Sequence, residues 1–249
     1  MRVALCYWGL ARSTDITIES IEACILEPLK QANIQYTVFL HTFLIFREYN
    51  NCRANEWDIE IKNDIWKLLL PNYYIVDNQD EVDKDLELSS YRTKGDPWKH
   101  EGNPYIEYNT LNNHIRSLYS LYKVTSLWKS KSHMFDVVIY LRPDVRYIKP
   151  ISIEWLKTCM RQKDTIYIPD FQLHNEWNDR FAIGSPETMV VYGERYLYAQ
   201  EYSKTNKLHS EEYLSNYMKK CKKHPTYIQF PFRRIRADGS ICPADEQIL

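Results

Sequence analysis

The chain has 249 residues, 44% hydrophobic and 26% charged, with a net charge of −1. That is the composition of a globular protein with room for one substantial core. The near-neutral balance excludes a global basic field that would gather nucleic acid, and no apolar run reaches the roughly 20 residues needed to span a bilayer.

The aromatic share is 14%, with 20 Tyr and 7 Trp, which suits both a Tyr-rich core and the stacking of flat polar ligands. Six cysteines are dispersed without zinc-ligand spacing, and Cys6 and Cys24 sit in apolar patterns expected of buried free thiols. This usage predicts a reducing compartment. The first residues run straight into a strand-like segment, with no charged leader followed by a long apolar stretch. The expectation is a soluble, cytoplasmic protein.

Residues 2–8 (RVALCYW) read as a buried strand ending at Gly9. Ser13, Thr14 and Asp15 offer caps for a helix whose apolar positions Ile18, Ile21, Ile25 and Leu29 recur at helical spacing. Residues 36–42 (YTVFLHT) are β-branched and aromatic, hence a strand. Strand, helix and strand within about forty residues make a βαβ unit and imply a parallel sheet.

The pattern predicts a helix over 56–70 stopped by Pro71, then a short strand at 73–76. Residues 77–105 are polar, carry Gly95, Pro97, Gly102 and Pro104, and read as a long mobile loop. A helix is expected over 108–130 through Leu111, Ile115, Leu118, Tyr122 and Thr125. Residues 135–141 (FDVVIYL) are near-continuously apolar, as a central parallel strand should be. Helices follow at 152–162, 187–202 and 210–220, and strands at 165–168, 181–183 and 227–232. No repeat or linker interrupts the chain, so a single α/β domain over 1–249 is expected, with helices flanking a mostly parallel sheet.

The segment VIYLRPDVRYIKP (138–150) carries the chemistry. A buried strand ends in a polar turn and delivers Asp144 to the carboxyl end of the sheet, where open α/β folds bind ligands. A carboxylate there is placed to hold a divalent cation against a diphosphate. It is also expected to be dispensable to the fold, because it sits at a strand end. The alternative is that Asp144 merely opens a turn and pairs with Arg142.

This arrangement resembles the strand and Asp-x-Asp turn of the GT-A glycosyltransferases, with Asp144 on the second aspartate and Arg142 in place of the first. The opening LCYWGLARS (5–13) resembles a GxxRS start in a group of GT-A-like transferases from bacteria and large viruses, as does VFLHT (38–42). NDRFAIG (178–184), HSEE (209–212) and FRRIRADG (232–239) resemble later segments of that group.

The resemblance implies a Rossmann-like GT-A sheet and transfer of a sugar from a nucleotide-sugar donor to a hydroxyl of a glycan or protein-glycan acceptor. It implies nucleotide-sugar contacts from Gly9, Arg12, Arg142, Asp144, Arg234 and Arg236. A catalytic carboxylate is expected among Asp179, Glu211 and Glu212, and a Mn²⁺ or Mg²⁺ ion on Asp144 with His209 as a candidate ligand. Each has a plainer alternative: Asp179 paired with Arg180, the two glutamates in the first turn of a helix capped by Ser210, and His209 hydrogen-bonded at the surface. Trp98 and Tyr105 are expected to close over the substrate.

Arg142 qualifies the metal. Two like unit charges about 4 Å apart repel by roughly 4 kcal/mol at an effective dielectric near 20, and a divalent ion fares worse. An arginine can instead grip a diphosphate itself. The rival readings are another nucleotide-dependent transferase, such as a methyl- or nucleotidyltransferase, and a non-catalytic nucleotide- or carbohydrate-binding module. The chain has neither GxGxxG after its first strand nor a P-loop, which argues against the first rival.

Overall fold

The computed structural model describes residues 1–99, 106–174 and 176–248. Strand β1 (Arg2–Trp8) leads into α1 (Thr14–Ile21), a π-helical turn (Glu22–Leu26), α2 (Glu27–Gln31) and β2 (Gln35–Leu44). β1 and β2 pair in parallel from Arg2↔Gln35 to Trp8↔His41, the expected βαβ unit. The π-turn has a local cause. Pro28 has no N–H to give the carbonyl of Cys24, four residues back, and that carbonyl accepts from Ile151 N at 2.8 Å instead.

The chain continues through β3 (Tyr49–Asn51), β4 (Glu56–Ile59), β5 (Tyr73–Asn78), α3 (Gln79–Asp85), α4 (Asn109–Lys129), β6 (Val137–Leu141), β7 (Val145–Tyr147) and α5 (Ile153–Cys159). It ends through β8 (Thr165–Pro169), β9 (Ala182–Gly184), α6 (Pro186–Glu194), α7 (Tyr196–Ser203), α8 (Ser210–Lys220), β10 (His224–Ile228) and β11 (Phe232–Arg234). Seven strands form the central sheet in the order β10-β8-β9-β6-β1-β2-β5. Only β9 runs antiparallel to its neighbours, β6 and β8. The mostly parallel sheet flanked by helices is the expected fold class.

Alternation along β1 divides the core. Val3, Leu5 and Tyr7 pack with Ile21, Ile25, Leu29 and Leu156 on one face. Ala4, Cys6 and Trp8 pack with Leu121, Val124, Trp128, Met189 and Leu214 on the other. Both faces are buried, which is why the central strands read as continuous apolar runs. Helices α4 and α6 approach closely at Gly193, where an added Cβ would lie 2.0 Å from Thr125 Oγ1. Cys6 and Cys24 are buried and free, as expected.

Four expectations are corrected. Residues 56–70 are not one helix: β4 pairs with β3 in a hairpin, and a 3₁₀ turn covers Ile65–Leu69. Ile59 and Ile61 lie two apart, the strand period, and pack with Ile45 and Tyr49. Left-handed Asn55 and Asp58, at φ 54° and 53°, stop any helix there.

The described part of the polar stretch, 77–99, is not a simple loop. Asn78 caps α3 by accepting from Asp80 N at 3.0 Å, and Asp80 and Glu81 suit that helix's positive end. Val82, Leu86, Tyr91 and Trp98 pack against Leu111, Ile115 and Leu118 of α4. Most of the acidic residues of 77–99 lie on α3, whose apolar side, at Val82, faces inward. Tyr105 lies outside the described residues.

The helix over 187–202 is two, α6 and α7, meeting at Arg195. The last strand is likewise split into β10, on the sheet edge, and β11, paired with β7. Among the described residues no helix is long and apolar enough to cross a membrane.

Candidate functional site

Gly9 and Arg142 follow the parallel strands β1 and β6, so both stand at the same rim of the sheet. Because β9 is antiparallel, its entry lies at that rim too and brings Asp179 and Arg180 there. The first turns of α4 and the segment after β11 complete a cavity of about 360 Å³. Among the described residues its walls carry six arginines (Arg12, Arg116, Arg142, Arg180, Arg234 and Arg236) and one carboxylate, Asp179.

Gly9 has φ +94°, a conformation that strains residues with a Cβ, and a Cβ there would come within 4.0 Å of the Arg142 guanidinium. Its N–H donates to Ser120 Oγ at 2.7 Å. His41 is buried between Ser120 Oγ, 2.7 Å from Nδ1, and Asp77, 3.1 Å from Nε2. The Gly9 turn is thus anchored to β2, β5 and α4 by a chain of polar contacts.

Asp144 is fully buried behind the cavity wall. Arg142 grips it with both ends of its fork, Nε to Oδ1 at 2.8 Å and Nη2 to Oδ2 at 2.7 Å, and Arg12 Nη2 adds a contact of 3.1 Å to Oδ2. Arg12 is itself buried and held by Glu56 at 2.7 Å and Tyr49 OH at 3.0 Å. Glu56 uses its other oxygen on Ala237 N at 2.8 Å. Burial alone would raise the Asp144 carboxyl, but Arg142 and Arg12 hold it well below the usual carboxylate range. Arg12 is therefore no surface residue; it ties the first loop to the end of β6.

Asp179 lies 3.9 Å from Arg180. Burial works to raise its carboxyl too, and Arg180, His114, Arg195 and Arg142 overcome it, so the group is depressed and charged at neutral pH. Glu211 is buried and paired with Arg180 Nη2 at 2.9 Å; it also accepts from Ser210 Oγ and lies 3.4 Å from His209 Nδ1. Glu212 is exposed on α8. Of the three expected carboxylates, Asp179 alone lines the cavity. Glu211 positions Arg180, and Glu212 does not line the cavity. Ser210 does not cap α8; His209 holds the cap position.

Arg234 is clamped by Asp245, Nε to Oδ2 at 2.9 Å and Nη2 to Oδ1 at 2.7 Å. Arg236 donates to Cys242 Sγ at 2.9 Å and forms no ion pair among the described residues. Three buried donors on the cavity's arginines, Arg12 Nε, Arg180 Nη1 and Arg236 Nε, have no hydrogen-bond partner among the described residues.

The expected metal pair is not formed. Both oxygens of Asp144 are occupied by guanidinium groups, and His209 stacks on Trp98 at 5.3 Å and faces Glu211 instead. Among the described residues no group of three or more His, Cys, Asp or Glu side chains converges where an ion could sit. A carboxylate that neutralises two arginines is a poor ligand for a further cation.

Sequence reasoning missed Glu56, His114, Arg116 and the structural weight of Arg180. One signal was available. Thr110, Asn113, His114 and Ser117 repeat at intervals of three and four, a polar stripe beside the buried apolar positions Leu111, Ile115 and Leu118, and this stripe faces the cavity. Glu56 gave no signal, since its partners lie 44 and 181 residues away.

These depressed carboxyls fix how stability responds to acid. A group whose folded pKa is lowered stabilises the fold above its unfolded value, and the effect is lost as pH falls through the folded value. Asp144, Asp179 and Asp245 all act in this direction. The urea midpoint should therefore hold from about pH 7 to about pH 5 and fall steeply below about pH 4. A midpoint unchanged down to about pH 2 would contradict the ion network.

No protein-family model matches the sequence, and no curated protein matches it. Among solved structures the chain is similar to an active-site mutant of LgtC at 13% identity and TM-score 0.41, covering 86% of this chain and 69% of that one. It is also similar to apo mouse xyloside xylosyltransferase 1 at 12% identity and TM-score 0.40, covering 91% and 84%. Both likenesses are loose, and a functional reading has to rest on the cavity itself.

Proposed function

We propose that this chain is a glycosyltransferase that takes a nucleotide-diphosphate sugar into the arginine-lined cavity and passes the sugar to an acceptor hydroxyl. The observation that supports it is the charge pattern: among the described residues, six arginines and one charged carboxylate surround a cavity at the carboxyl ends of β1 and β6. Such a cavity selects a polyanion, and that carboxylate can take a proton.

In this reading Arg142, Arg180 and Arg236 face the diphosphate. Asp179 accepts the proton of the acceptor hydroxyl as its oxygen attacks the anomeric carbon. The bond from that carbon to the diphosphate breaks, and its electron pair leaves with the diphosphate. The fixed arginines stabilise the negative charge that develops there. Gly9 allows the ligand close to the backbone, and Trp98, buried against His209, walls the cavity from water.

A panel of UDP-, GDP-, ADP-, CDP- and TDP-sugars tests the reading by thermal shift and by release of the nucleoside diphosphate. A matched donor at about a hundred times its Kd should raise the melting temperature by about 5–10 °C. No shift with any nucleotide sugar, together with a shift from S-adenosylmethionine, would replace sugar transfer with methyl transfer.

A further inference from the structure

Given that reading, we infer that the site holds its diphosphate by arginine alone, with Arg236 as the charge kept for it, and recruits no divalent cation. An ion at Asp144 would have to displace three guanidinium contacts and then sit beside the two cations it displaced. Among the described residues the one carboxylate that faces the cavity, Asp179, is already surrounded by Arg180, Arg142, Arg195 and His114.

The cavity's other arginines are paired. Arg12 has Glu56 and Asp144, Arg142 has Asp144, Arg180 has Glu211, Arg234 has Asp245 and Arg116 has Asp83. Arg236 is 6% exposed, lines the same cavity and has no carboxylate partner among the described residues. Burial, followed by the charges of Arg12 and Arg234, disfavours its protonated form. A buried cation of this kind is costly unless an anion meets it.

Its backbone is nonetheless fixed. Arg236 N donates to Ser240 O at 2.8 Å, Gly239 N returns to Arg236 O at 3.0 Å, and Ile235 pairs with Ile241 across the turn. The unpartnered donors Arg236 Nε, Arg180 Nη1 and Arg12 Nε come from three separate segments, which suits a ligand with two linked phosphates.

Calorimetry of the full chain with UDP, GDP, ADP, CDP and inorganic pyrophosphate, in EDTA and in MnCl₂, tests this. At least one probe should bind in EDTA with a Kd within about threefold of its value in Mn²⁺, a difference well under one hydrogen bond to a charged group. Arg236→Gln should weaken that binding by about tenfold or more. Its ligand-free melting temperature should be unchanged or raised, since the substitution removes an unpaired buried charge.

Binding that requires Mn²⁺ and vanishes in EDTA overturns the inference and leaves sugar transfer standing. Wild-type affinity in Arg236→Gln overturns it as well. Metal-free binding without turnover of any nucleotide sugar supports the arginine clamp and overturns the transfer reading. If Arg236→Gln fails to fold, the wild-type comparison between EDTA and Mn²⁺ still decides.

Discussion

Asp144→Asn is expected to destabilise the protein by about 3–5 kcal/mol, the cost of breaking a buried ion pair from one side. The carboxylate has no exposed surface and accepts three charge-assisted bonds from Arg142 and Arg12. An asparagine keeps the shape but offers one acceptor oxygen and no charge. Arg142 then loses its ion pair, and of its two carboxylates Arg12 keeps Glu56.

With total stabilities of about 5–15 kcal/mol, such a loss removes a large share of the fold's margin. The urea midpoint should fall while the slope stays constant, and the melting temperature should drop by roughly 10 °C. A change under about 1 kcal/mol would show that water reaches the pair and screens it. The expectation that a carboxylate at a strand end is dispensable to the fold is reversed by its burial. Lost activity in this variant therefore cannot by itself assign Asp144 to the chemistry.

Asp179→Asn is expected to act on the opposite quantity. If Asp179 takes the acceptor's proton, kcat should fall by about 10²–10⁴-fold, the usual contribution of a positioned base. Binding of the nucleoside diphosphate should be unchanged or tighter, because a negative charge leaves a wall otherwise lined by arginines. This split between turnover and affinity separates a base from a purely structural carboxylate, whose loss would weaken both.

The pH profile gives a second check. Burial is outweighed by Arg180, His114, Arg195 and Arg142, so the Asp179 carboxyl titrates below its ordinary value of 3.8. The basic form persists at all higher pH. Asp179 should therefore impose no acid limb on kcat/KM between about pH 5 and pH 8, and any fall it causes belongs below about pH 4. Turnover within about threefold of wild type in the asparagine variant removes Asp179 from the mechanism.

Several elements were legible in the sequence because their cause is local. β1 and β6 are apolar along their length since helices cover both faces of the sheet. α4 announces itself by its 3.6-residue period from Leu111 to Trp128. Gly9 just past β1 and the turn after β6 could be placed at one rim because parallel strands put their carboxyl ends together.

Partners fixed by distance in sequence were not legible. Arg12 meets Asp144 across 132 residues and Glu56 across 44, and nothing in either segment names the other. The same holds for Glu211, which reads as a helix-start carboxylate and turns inward to hold Arg180. His209 looked free to bind an ion until folding set it between Trp98 and Glu211.

Residue types and spacing determined the sheet, most of its helices and the rim where polar groups collect. Tertiary structure alone decided which charges cancel, since that depends on which side chains meet in a medium where burial makes every pairing count. It satisfied Asp144 with two arginines, left Asp179 facing the cavity, and left Arg236 without a carboxylate among the described residues.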